Sequence, residues 1–74
     1  MITIQDATNL KHGDILEHVH SKDSRGNPMR CRVNGRTKTW KTRPTEFQVP
    51  VKYGLYQYFY ITPANAAEWK KASI

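Results

Sequence analysis

His18 and His20 stand two apart in Ile15 to His20, ILEHVH, which reads as a strand, so both imidazoles would leave one face. That spacing suits a shared metal ion, with Cys31 on a neighbouring strand as the next ligand. A ribonuclease-like reaction would need a base, an acid and a cation for the developing phosphorane, and His18, His20, Arg30 and Tyr58 are the right residue types. Neither constellation closes. The chain has one cysteine, no His-Glu-x-x-His run, no nucleophile motif and no Gly-rich phosphate loop. Catalysis, a metal site and a cofactor are therefore not expected. The histidines read as exposed groups beside a basic patch, gaining charge below about pH 6.5.

Positive charge is what the chain has in quantity: twelve Lys and Arg against six Asp and Glu, a net +6. Its distribution is uneven. Between Lys22 and Arg43 lie Lys22, Arg25, Arg30, Arg32, Arg36, Lys38, Lys41 and Arg43 against the single acid Asp23. The rest of the chain is close to neutral. Clustering of this kind is the electrostatic footprint of a phosphate-binding surface, and it exceeds what solubility requires. The candidate nucleic-acid contacts are Arg25, Arg30, Arg32, Lys38, Lys41 and Arg43.

Aromatic residues lie close by in sequence. Tyr53, Tyr56, Tyr58 and Tyr60, with Trp40, neighbour Lys41, Arg43 and Lys52. Small β domains that bind nucleic acid combine a basic surface with rings on which bases stack. Tyr58 is assigned the stacking role and Trp40 a place in the core. DNA and RNA are equally allowed. The alternative partner is an acidic protein, met by charge complementarity or by addition of a strand to an exposed sheet edge.

The elements that would position these residues follow from the pattern. Asn34-Gly35 predicts a two-residue hairpin turn, because both centres of a type I′ turn need positive φ. Its register would put Val33 opposite Arg36, Cys31 opposite Lys38 and Met29 opposite Trp40, leaving Arg30 and Arg32 on the far face. Met1 to Ile4 reads as a short edge strand and Asp6 to Asn9 as a turn or one helical turn. In the first long strand Ile15 and Val19 are placed inward, and Ser21 to Pro28 forms a loop. Phe47, Val49 and Val51 alternate with Gln48 and Pro50, and proline places that strand at an edge. Tyr56 to Ile61 splits into Gln57, Phe59, Ile61 against the three tyrosines. Thr62-Pro63 predicts the start of a C-terminal helix through Ala72, with Ala66, Trp69 and Ala72 or Ser73 on its apolar side.

These elements amount to one mainly β domain over residues 1–74, about five antiparallel strands with a C-terminal helix, as a small barrel or a bent sheet. Leu10 to Ile15, a leucine, then Gly-Asp, then the start of a long strand, resembles the opening of SH3-like small barrels. The run TRPTEFQVPVKYGLYQYFYIT resembles short proteins of bacteriophage and prophage genomes, which implies no activity. A chain this short buries only about 60% of its unfolded surface, so a deep cleft is not expected. No apolar run approaches the roughly 20 residues a membrane helix needs. With a lone cysteine and no signal-like N-terminus, a cytoplasmic setting without membrane contact is expected.

Overall fold

The structure, a computed structural model, describes residues 1–72, so Ser73 lies outside the described residues. Among the described residues six antiparallel strands form one sheet: β1 (Ile15–Lys22), β2 (Pro28–Val33), β3 (Lys38–Trp40), β4 (Arg43–Tyr53), β5 (Gln57–Ile61) and β6 (Trp69–Lys71). The helix α1 (Ile4–Asn9) precedes them, and a 3-10 turn, Ala66–Glu68, separates β5 from β6. The mainly β class is as read from the sequence. The barrel is not: β5 pairs with β4 and β6 with β1, which leaves the sheet open between them. Side chains bridge that opening, with the Phe59 and Trp69 rings 5.6 Å apart.

The strand order is set by β4, which is long enough to serve three partners. Phe47, Val49 and Val51 are all buried, as their alternation requires. Val51 and Lys52 pair with β2 along one edge and with β5 along the other, while Phe47 and Gln48 pair with β3. Pro50 therefore sits in a central strand and not at an edge. It is tolerated because the chain opposite breaks there: β2 stops at Val33, Asn34 donates its N–H to the Pro50 carbonyl at 2.8 Å, and β3 begins only at Lys38.

That break is also where Asn34-Gly35 lies, and it corrects the expected hairpin. Both β2 and β3 run antiparallel to β4, so they point the same way and cannot form an antiparallel hairpin with each other. Gly35 does have positive φ, +126°, and a Cβ there would meet Pro50 Cγ at 3.2 Å. The residue is chosen for a close passage over proline instead of a tight return. The return itself comes later, at Lys41-Thr42, where Trp40 lies opposite Arg43. Trp40 consequently stays half-buried and outside the core cluster, contrary to its assignment there.

The two ends of the chain exchange their expected characters. Met1 to Ile4 is not a strand; Thr3 caps α1 in a reciprocal capping box, accepting from the Asp6 N–H at 3.1 Å while the Asp6 carboxylate accepts from the Thr3 N–H at 3.0 Å. These bonds hold the Asp6 carboxyl below its usual range, the backbone N–H of Thr3 contributing most. The C-terminal helix is reduced to the 3-10 turn. Asn65 gives its side chain to the preceding turn, accepting from the Thr62 N–H at 2.8 Å and donating to the Tyr60 carbonyl at 3.1 Å. A helix of so few residues is marginal by itself, whereas a strand can use the free edge of β1 and bury Trp69 against His18 and Phe59.

The core gathers Ile2, Ala7, Leu16, Val33, Val49, Val51 and Ile61, each almost fully buried, with Cys31, Phe47 and Trp69 nearly so. Leu16 points inward, and Ile15 and Val19 are only half-buried, the reverse of the expected phase. Pairing decides this: Leu16 faces Cys31, and Ile15 faces Arg32. The loop expected over Ser21 to Pro28 shrinks to a close turn over residues 23–27, because β1 runs on to Lys22 opposite Pro28 and the Asp23 carboxylate accepts from the N–H groups of Arg25 and Asn27.

Candidate functional site

Residues directly opposite one another in an antiparallel pair project from the same side of the sheet. Ile15 faces Arg32, Arg32 faces Lys52, and Lys52 faces Tyr58, so one row crosses β1, β2, β4 and β5 on the side away from the core. In the adjoining rows Lys70 faces Glu17 and Glu17 faces Arg30, while Pro50 faces Tyr60. Lys38 lies opposite Gln48, which shares the outer side of β4 with Pro50 and Lys52. Neighbouring strands are about 4.8 Å apart, so Arg32, Lys52 and Tyr58 fall within about 10 Å of one another along the row.

The aromatic members of this surface are in water. Tyr58 is 62% exposed and Tyr60 56%, while Phe59 between them turns in to the core, the division expected for this strand. The Lys52 ammonium lies 5.4 Å from the centre of the Tyr58 ring, within range of a cation–π attraction that orients the ring beside the positive charge. Arg30, Arg32, Lys52, Gly54 and Leu55 line a shallow groove of about 440 Å³ next to it.

The sequence-predicted contacts do not all meet here. Arg32 is exposed and has no ion pair among the described residues. Arg30 shares its face but lies on Glu17, its Nε at 3.1 Å and its terminal nitrogen at 2.8 Å from one carboxylate oxygen. Glu17 is only 6% exposed, so much of the Arg30 charge is spent on it. Lys38 is on the outer side and not the apolar one, its ammonium 5.7 Å from the Trp40 ring. Lys41 occupies the β3–β4 turn, Arg43 pairs with Glu46 at 3.4 Å, and Arg25 sits in the β1–β2 turn, so these three stand apart from the row.

Lys52 and Tyr60, noted in the sequence only as neighbours of the basic and aromatic residues, and Lys70, not noted at all, join the surface without having been assigned as contacts. Lys52 and Tyr60 had a usable signal, since each continues an outward alternation already recognised, Gln48-Pro50-Lys52 and Tyr56-Tyr58-Tyr60. Lys70 had none while Trp69 to Lys71 was read as helix.

The histidines are drawn away from this surface. His18 faces Trp69 on the core side, its ring 5.0 Å from the indole, and its Nδ1 accepts from the N–H groups of His20 at 3.1 Å and Ser21 at 2.9 Å. His18 and Arg30 thus leave opposite faces, and the residues that a ribonuclease-like step would need are not assembled. Cys31 is buried, and loss of water pushes its thiol up to about 12, leaving no thiolate near neutrality. No group of three or more His, Cys, Asp or Glu among the described residues is placed to hold a metal ion. Elsewhere, Lys11, His12 and Arg36 line a second groove of about 650 Å³ with Thr8, Thr37 and Thr39. No helix among the described residues is long and apolar enough to cross a membrane. Compared with known proteins, the chain matches no family model, no curated protein and no solved structure.

Proposed function

We propose that this chain is a nucleic-acid-binding module, with no catalytic role, that holds a phosphate backbone on the outer side of its sheet. The observation that carries the reading is the row Arg32, Lys52, Tyr58, in which two cations and an exposed ring from three adjacent strands share one face. Lys70, Lys38 and the residual charge of Arg30 extend it. Each phosphate neutralised by a lysine or arginine releases counterions, so affinity should fall linearly with salt on logarithmic axes. Replacing Arg32 and Lys52 together with Gln should lower that slope by about two, close to one per lost phosphate contact. Wild-type protein that ignores DNA and RNA at low salt would end this reading.

A second reading has its own support. The outer edge of β5 carries no charge and no proline from Gln57 to Ile61, and beyond the Tyr60 carbonyl, which accepts from the Asn65 side chain, such an edge can accept an added strand. On that reading the chain is a small phage-type interaction module docking on an acidic host or virion protein. It predicts saturable binding to one protein with little response to nucleic acid. The resemblance to SH3-like domains extends no further than the local opening, where Gly13-Asp14 leads directly into β1 with the Asp14 carboxylate accepting from the Lys11 N–H at 2.8 Å.

A further inference from the structure

The same surface also bears on which form of nucleic acid it takes. Tyr58 and Tyr60 leave β5 on one side, two residues apart, and both rings are more exposed than buried. A ring exposed beside cations offers a flat face, and every nucleobase has a face that can stack on it. In a duplex those faces are hidden in the stack and only the groove edges can be read. A sheet face is also too broad to enter a groove that admits a helix or a two-stranded ribbon.

The spacing points the same way. Side chains two apart on a strand are separated by about 6.7 Å, roughly twice the 3.4 Å rise between bases stacked along one strand of a duplex. Bases can cover both tyrosines only if they are unstacked from each other, which an unpaired strand allows and a duplex does not. The cations fall on the inner side of this pair: Lys52 lies beside Tyr58 on the next strand, and Arg32 one strand beyond. A backbone running parallel to β5 but above β4 would meet Lys52 directly and come within reach of the long Arg32 side chain, while its bases turn toward the tyrosines of β5.

Resting on the nucleic-acid reading above, we propose that the surface selects single-stranded nucleic acid, with Tyr58 and Tyr60 each stacking on one splayed base and Lys52 and Arg32 holding the intervening phosphates. A β-branched residue keeps the strand while removing the ring, so Tyr58→Val and Tyr60→Val serve as tests and Tyr58→Phe as the control that keeps the π-face.

The experiment measures affinity for a twelve-nucleotide oligothymidylate, a twelve-base-pair duplex and inorganic polyphosphate at two salt concentrations. Wild type should prefer the single strand over the duplex by at least tenfold. Each valine variant should lose roughly 5- to 150-fold on the single strand, the range for one stacked base, with its salt slope and its polyphosphate affinity unchanged. Tyr58→Phe should bind like wild type. Equal affinity for duplex and single strand, or valine variants that bind the single strand as wild type does, would overturn single-strand selection while leaving phosphate binding intact. Failure to bind any of the three would instead remove the reading on which it rests.

Discussion

Arg30 and Arg32 leave the same face of β2, yet they carry different burdens, because the Arg30 guanidinium lies on a carboxylate that is nearly out of water. Removing Arg30 strips Glu17 of its partner. Lys70 lies on the other side of Glu17, and half of Arg30 is solvated, so the cost should be on the order of 1–3 kcal/mol, below that of a fully buried pair. Arg32→Ala should cost under about 0.5 kcal/mol, since its side chain stands in water without a partner. Urea unfolding of the two variants checks this directly, and equal midpoints would show that the Glu17 pair contributes nothing. That Arg30 and Arg32 point outward was legible from alternation with Cys31 and Val33. That one of them is spent on Glu17 was not, because it depends on which strand lies beside β2.

At Asn34-Gly35 the expected type I′ turn does not form, because Gly35 has positive φ and Asn34 does not. Positive φ at Gly35 is real, but a glycine that permits a hairpin turn also permits a kink over a proline, and only the position of β4 distinguishes the two. Gly35→Ala should therefore destabilise by about 1–3 kcal/mol, through the left-handed backbone and the approach to Pro50. Pairing Gly35→Ala with Pro50→Ala separates the causes: part of the loss should be recovered if the ring contact matters, and none if the backbone conformation accounts for all of it. An unchanged melting temperature in Gly35→Ala alone would contradict the geometry. The β4 and β5 alternations were legible because burial on one side fixes a period of two. The final segment was not: its helix-forming residues gave way to the unfilled edge of β1, a partner far away in sequence.

At the scale of the whole molecule, the sheet is held shut at its open side by side chains, with Trp69 packed against both His18 and Phe59. Trp69→Ala should cost about 3 kcal/mol or more, a large share of the stability of so small a domain, and a melting temperature equal to wild type would show that β6 is loosely attached. The strand pairing matters to function because it sets which residues of β1, β2, β4 and β5 share one side. The most direct test of that claim is amide chemical-shift mapping of the wild-type protein during titration with the twelve-nucleotide oligothymidylate. The shifts should gather at Arg32, Lys52, Gly54, Tyr58 and Tyr60 and should not appear around Lys11, His12 and Arg36. Shifts confined to that second groove, or no shifts at any ratio in low salt, would contradict the assignment of the outer sheet face as the binding surface.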